Sequence, residues 1–550
     1  MMLFFTLITL LLQFRGLNCQ ALDANGVSLD EKILAIERLL LTPGTIMFPV
    51  TPCSFTLDGP QQTIPAQNGS DQTAAQWVRT VFHDFITADA SAGTGGLDAS
   101  IGFEADRPEN LGLVFNAGTP DETSFINATI IGFNLFSSIF ISTSDFIALG
   151  LATSLLSCEP DARMIQLKVG RIDATVAGPT GVPRPEDSLE IATAAFAKAG
   201  LNQTEMIQAV ACGHSVGAVH ILDQPTVGDG GADHFDSTPF VFDAVGVNEY
   251  LNGSGQAGGP LVTTQNKTFR SDLRIFNSDS NATIKAMASS TQSFEDACFT
   301  VFEKMINTVP KTVTLSTDLV GPRPWILMES HLDLSSTGAV QYSGNITTKS
   351  RFNPSVPTTA TYGYGTSGGE DPVSHTSDAG VVQSNLVNGV ISDPFGDITQ
   401  YSFNDTLTNT DITSITVQNS YTESINLNLF VVPSQSFMNP TNVQQPTYVV
   451  RVAVLSTLAS GETGLQGTLY YAATQPNSVS PVYKQVNIPL TSYKTSGAYT
   501  IFHGVVTQPV TAGTSHIDVQ LGSQRSAKAL VSLFGGRFFG LCSNADMTTC

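Results

Sequence analysis

Basic residues are scarce in this chain: 25 Lys and Arg stand against 47 Asp and Glu, a formal charge of −22 over 550 residues. No Lys/Arg run is present that could follow a phosphate backbone, so nucleic acid is not an expected partner. The same acidity disfavours docking on anionic membranes. After residue 19 no stretch is apolar for long enough to span a bilayer. Tryptophan is rare as well, with only Trp77 and Trp325. No internal repeat is evident.

What is present is the composition of a folded protein, 41% hydrophobic with 32 Phe, and the length calls for more than one core. The first residues, "MMLFFTLITLLLQFRGLNC", are a short apolar run without an acidic residue and read as a signal peptide over 1–19. Sequons at Asn68, Asn127, Asn202, Asn252, Asn266, Asn281, Asn345 and Asn404 add to the expectation of a secreted, extracellular chain. In such a compartment cysteines pair. Cys542 and Cys550 close a short loop and are plausible partners, whereas Cys212 lies on an apolar helix face and reads as free.

Two textures divide the chain. Over 20–310 the patterns are helical: "SLDEKILAIERLLL", "TAAQWVRTVFHDF", "SDFIALGLATSLLSC", "DSLEIATAAFAKAG", "TEMIQAVACGHSVGAVH" and "SFEDACFTVFEKMI" carry apolar residues three and four apart. Over 311–550 they alternate, as in "INLNLFVVP", "YVVRVAVLS" and "YTIFHGVV". The expected fold is a mainly α domain followed by an all-β, sandwich-like domain.

The stretch "CGHSVGAVH" poses the functional question. Gly213-His214-Ser215-Val216-Gly217 fits the strand-to-helix elbow that presents a hydrolase serine. Upstream, however, Ile207, Val210, Ala211 and His214 fall on one helix face, which places His214 on a buried face and leaves Ser215 without a preceding strand. Far upstream "WVRTVFHDF" sets Arg79 and His83 four apart on one helix face, with Phe82 alongside. Each histidine segment is followed by an oxygen-rich loop. The first holds Asp84, Gly96, Asp98 and Ser100; the second holds Ser215, Asp236, Thr238 and Asp243. Carboxylates, hydroxyls and loop carbonyls are what a calcium ion takes as ligands.

These motifs, with "GGLDAS", "RPENLGL", "GRIDAT", "FDSTPFVFD" and "LRIFNSD" in order, resemble the plant/fungal/bacterial haem peroxidase superfamily, most closely its secreted fungal members. The resemblance implies a haem b cofactor, two Ca2+ ions, and oxidation of small organic reductants by hydrogen peroxide through a ferryl state. Phenols, aromatic amines or an ascorbate-like molecule are the expected reductants. It implies His214 as the proximal iron ligand, with Asp279 accepting from its other nitrogen and Phe82 against the haem. It implies His83 as the distal acid/base, Arg79 as the charge stabiliser, and Asn110, backed by Glu104, as the acceptor that holds His83 in its basic tautomer. Asp84, Gly96, Asp98 and Ser100 would hold one calcium. Ser215, Asp236, Thr238, the carbonyl of Val241, and Asp243 would hold the other. Cys53 and Cys158 would form a bridge.

The sequence departs from the family over the reductant. Manganese-oxidising relatives carry acids where this chain has Gln72, Gln76 and His220. Lignin-type relatives carry a surface Trp where it has Ala209, and the intracellular relatives a Trp where it has Phe235. For 311–550 no family resemblance is drawn; a cell-wall polysaccharide-binding module and a structural cap are both open. The competing functions are an inactive peroxidase scaffold serving adhesion and a serine hydrolase built on Ser215.

Overall fold

In the computed structural model residues 22–542 are described, except 42–52, 54–71, 105–106, 111–112, 114–136, 160–162, 221–226, 228–231, 322, 371–373, 381, 384–385, 388–389, 392–394, 440–444, 461–463, 479, 510–513, 527–528 and 532–538. Residues 1–19, where a signal peptide is expected, and Cys550 therefore lie outside the described residues.

Helix α1 (Leu29–Leu41) begins at a reciprocal cap. Ser28 Oγ accepts from Glu31 N at 3.3 Å, and Glu31 Oε2 accepts from Ser28 N at 2.8 Å. Helix α2 (Thr73–Phe85) packs on α3 (Thr143–Cys158), whose side chains are buried on all sides. The two approach so closely that a Cβ at Gly150 would meet the Trp77 ring at 2.4 Å, so a glycine is required there. Next come α4 (Leu189–Lys198), capped by Ser188, and α5 (Gln203–Gly213), opened by a capping box between Asn202 and Glu205. Helices α6 (Val245–Asn252), α7 (Pro260–Thr263), α8 (Ser271–Phe276) and α9 (Ala282–Met287) are short. Helix α10 (Thr291–Asn307) closes the helical half with a buried stripe of Phe294, Cys298, Phe299, Phe302 and Met305.

One helix is shorter than its pattern suggests. The periodicity of "TEMIQAVACGHSVGAVH" predicts a helix through His220, but α5 stops at Gly213, and His214 is its C-cap residue. The chain then turns through Gly217, at φ +88, where a Cβ would meet Ala75 at 2.7 Å. It re-emerges as strand β1 (Ala218–His220), paired antiparallel with β2 (Ala232–His234). Close packing against α2 ends the helix where apolar spacing alone would continue it.

A buried ion pair ties three segments of this half. Arg171 Nη1 donates to Asp145 Oδ1 at 2.8 Å, and both side chains are fully buried. The rest of the guanidinium donates to the Ile306 carbonyl at 3.0 and 2.6 Å, so the first turn of α3, the Arg171 loop and the end of α10 share one set of charge-assisted bonds. Cys53 and Cys158 are bridged. Cys212 is not free: it is bonded to Cys298. The expectation failed because apolar periodicity cannot tell a buried thiol from half of a buried bridge. Cys542 is likewise disulfide-bonded.

The β half is built of sheets that are antiparallel apart from one parallel pair, Phe437–Asn439 with Gly540–Leu541, and it has two cores rather than one. Strands 326–334, 340–349 and 398–407 face a sheet of 359–366, 412–417 and 421–424. Strands 447–455, 490–496 and 499–507 face a sheet of 466–473, 482–488 and 515–521. The Val-rich strand Thr447–Leu455 is buried on both faces, since Val450, Val452 and Val454 join the second core while Ala453 joins the first. That is why "YVVRVAVL" reads as a continuous apolar run rather than a strict alternation.

The β half is seated firmly on the helical half. From α1, Glu37 pairs with Arg323, Arg38 pairs with Glu423, and Arg38 Nε also donates to the Leu327 carbonyl at 3.0 Å. Ahead of α3, Tyr483 Oη donates to Ser137 Oγ at 2.9 Å, Thr514 Oγ1 donates to the Ser137 carbonyl at 2.6 Å, and Phe140 meets His516 edge-on at 5.1 Å.

Replacing Arg171 with Met strands the Asp145 carboxylate in a dry site. A loss of about 3–5 kcal/mol is expected, read as a lowered urea midpoint at unchanged slope. A loss below about 1 kcal/mol would show that the backbone donors satisfy Asp145 unaided.

Candidate active site

Helix α2 carries Gln76, Arg79 and His83 along one face, with Gln72 at its N-cap, and these residues line a cavity of about 460 Å³. His214, at the end of α5, lines the same cavity, as do Phe82, Ala209, Phe235 and Asp272. The structure thus brings together two histidines more than a hundred residues apart. Gln72 and Gln76 stand in this wall. Ala209 is buried in it too, rather than lying at the surface. The side chain of His220 lies outside the described residues.

On the α2 side, His83 Nδ1 lies 2.8 Å from Asn110 Oδ1. An amide oxygen only accepts, so Nδ1 carries the proton and Nε2 keeps its lone pair. Arg79 Nε approaches that Nε2 at 3.4 Å. Asn110 is itself fully buried on the turn Pro108–Asn110, and its Nδ2 donates to the Glu104 carbonyl at 3.0 Å. The Glu104 carboxylate accepts from Gly178 N at 2.8 Å and pairs with Arg107 at 3.1 Å. Burial raises Glu104 above the usual carboxylate range, against the pull of Arg107 and those donors. Burial, and next the Arg79 charge, lower His83 to about 3, against the Asn110 bond. Its imidazole is therefore a neutral base at ordinary pH. Phe82 lies beside His83 on this wall, at 5.9 Å, and leans on Phe196.

On the α5 side, the partner of His214 is Asp272, not Asp279. His214 Nδ1 lies 2.7 Å from Asp272 Oδ2, and Asp272 is buried in the first turn of α8. Its other oxygen accepts from Ser271 Oγ at 3.0 Å. Asp279 lies beyond the end of α8 and serves α9 instead. It accepts from Ala282 N at 3.0 Å and from Thr283 N at 2.9 Å. An aspartate just ahead of a helix is captured by the free amides of that helix. That cap pattern, "DSNAT", is the signal that would have redirected the assignment upstream. Phe235 stacks flat on the His214 ring, 4.2 Å away at 3°. With Nδ1 committed to Asp272, Nε2 is the nitrogen left to bind an electron acceptor.

Both oxygen-rich loops fold as carboxylate cradles. Asp84 accepts from the amides of Asp98, Ala99 and Ile101 at 2.9, 2.8 and 2.9 Å, and from Ser100 Oγ at 3.3 Å. Burial, and next the Asp98 charge, push Asp84 well above the usual carboxylate range. Gly96 holds φ +108, and a Cβ there would meet the Thr308 carbonyl at 2.3 Å. In the second loop Asp236 Oδ1 accepts from Thr238 N at 2.9 Å, while Thr238 Oγ1 donates to Asp243 at 3.2 Å. Asp236 Oδ2 is buried without a hydrogen-bond partner. Burial, followed by the neighbouring Asp243 and Glu249, raises Asp236 to about 7. Ser215 Oγ donates to the Cys212 carbonyl at 2.8 Å, and Val241 N donates to the Thr238 carbonyl at 2.9 Å. Among the described residues no three His, Cys, Asp or Glu side chains converge as a metal-binding group. Ser215 follows a helix and bonds to its own backbone, which removes the elbow a serine hydrolase needs.

The family described as Peroxidase matches residues 61–292. A "WSC domain-containing protein" of Arthroderma benhamiae is 36% identical over 317 residues, 56% of this chain and 40% of that protein. "Manganese peroxidase 3" of Phlebia radiata is 32% identical over 177 residues, 30% of this chain and 44% of that protein. The chain thus spans less than half the length of either relative. The helical region of this chain, over residues 61–292, matches the peroxidase family, and a region of mainly antiparallel β-sheets follows it.

Proposed function

We propose that the chain is a secreted haem peroxidase that reduces hydrogen peroxide and oxidises small organic molecules. The observation that carries the reading is the pairing across one cavity of two histidines prepared in opposite ways. His83 is a neutral base with Nδ1 held by Asn110. His214 is pinned through Nδ1 to a buried carboxylate.

The residues present fit haem b: His214 Nε2 would hold the iron, and the apolar cavity between the histidines would take the ring. When bound, haem would supply the redox centre that gives two electrons to peroxide and regains two from the reductant. The chain's own residues manage protons and charge. His83 Nε2 takes the proton from one peroxide oxygen and gives it to the departing one. Arg79 offsets the negative charge that develops as the O–O bond stretches. Asp272, accepting from Nδ1, gives His214 anionic character and so favours oxidised iron. Asn110 and Glu104 keep His83 in the right tautomer.

Two calcium ions would be held at the oxygen-rich loops. Asp84, Gly96, Asp98 and Ser100 would hold one; Ser215, Asp236, Thr238, Val241 and Asp243 would hold the other. Buried like charges and the orphaned Asp236 Oδ2 are supports for a cation at the second. Reductants of the phenol, aromatic amine or ascorbate-like classes are the proposed electron donors. The close seating of the β half favours a structural cap over a freely tethered polysaccharide-binding module.

His83→Ala is expected to slow the reaction with peroxide by at least about 10²–10⁴-fold, followed by stopped-flow on the haem band, with the resting spectrum retained. An unchanged rate would sink the reading. Because His83 is held near 3, its neutral form persists from pH 8 down to about 4. The peroxide rate should be flat over that range and drop only as pH approaches about 3; an inflection near 6.5 would contradict it. Asp236→Asn should blunt the fall in melting temperature that a calcium chelator causes in the unaltered protein. An identical chelator response in both would remove Asp236 from the calcium set.

A further inference from the structure

We infer that the Cys212–Cys298 disulfide is a positioning device for His214, fixing the end of α5 from which the ligand projects. The inference rests on the reading of His214 as the iron ligand. The last turn of a helix frays, because its final carbonyls have no partners within the helix. His214 is the C-cap residue of α5, so it stands at the least constrained point of its own element. Two residues earlier Cys212, fully buried, is bonded to the equally buried Cys298 of α10. The carbonyl of Cys212 also accepts from Ser215 Oγ at 2.8 Å. The bridge thus grips the chain immediately before the ligand, and the hydroxyl immediately after it closes the turn.

The partner helix is a suitable anchor. The end of α10 is held by the Arg171 guanidinium through the Ile306 carbonyl. Phe302 and Met305, in the same stretch of α10, line the cavity that His214 faces. At the far end of α5, Glu205 pairs with Lys304 at 2.6 and 2.7 Å. That pair is partly exposed, so it contributes little. Asp272 orients the His214 ring, but a hydrogen bond to the ring does not set where the Cα lies. The covalent bridge sets the backbone, and the carboxylate sets the imidazole.

The test compares C212A/C298A and the better-packed C212A/C298V with C53A/C158A, which removes the other bridge. With haem bound and iron reduced, both variants at 212/298 should shift or broaden the iron–histidine stretching band and speed haem transfer to apomyoglobin by at least about 10-fold. The C53A/C158A variant should lose thermal stability while leaving that band in place. Wild-type band and transfer rate in the folded 212/298 variants would overturn the proposal, as would an equal shift in C53A/C158A. Hydrogen exchange on the unaltered protein without haem serves if the 212/298 variants do not fold. Amides of Ala211–His214 should exchange as slowly as those in the middle of α5, and rapid, frayed exchange there would overturn the proposal. Failure of the unaltered protein to bind haem would count against His214 as the ligand, while the exchange result would still decide the clamp.

Discussion

The hydrogen bond between His214 Nδ1 and the buried Asp272 carboxylate is the constraint around which the helical half is arranged. Asp272 is nearly inaccessible to solvent, and a charge in such a place persists only if it is bonded. Satisfying it requires α8 to deliver the carboxylate and α5 to end where it does. It also requires the chain to turn through Gly217 against α2. Phe235 closes the face of the ring, so the imidazole has one free nitrogen and one direction in which to use it.

The opposite wall answers with the reverse electrostatics. His83 is buried beside a guanidinium, and both effects discourage its protonation, while Asn110 fixes which nitrogen is bare. That preparation passes outward from Asn110 to the Glu104 backbone, and from the Glu104 side chain to Gly178 and Arg107. A base that must accept a proton and release it is useful only if its tautomer is set before the substrate arrives. Here the setting is done by Asn110 and Glu104, both buried.

The β half is part of the same mechanical unit as the helices. Its contacts fall on α1 and on the segment ahead of α3, and they combine ion pairs, hydroxyl bonds and an aromatic edge contact. Its strand Thr447–Leu455 is buried on both faces and so lies between the two sheet cores.

Local pattern determined much of this protein. Helices α2, α3, α4 and α10 follow from apolar spacing and caps such as Ser188. The pairing of Arg79 with His83 follows from a four-residue spacing, and the strands of the β half from their Thr/Val/Tyr-rich runs. Motif order was enough to bring His83, His214 and Asn110 into one reading and to pair Cys53 with Cys158. Tertiary structure decided what local pattern leaves degenerate. Asp272 and Asp279 lie seven residues apart in similar surroundings, and only the position of α8 against α5 shows which one reaches the histidine. Cys212 reads as a buried thiol until α10 is placed across it. The end of α5 and the double burial of Thr447–Leu455 likewise depend on what packs against them. Periodicity reports which face of an element is apolar; it carries no information about which distant residue will meet that face.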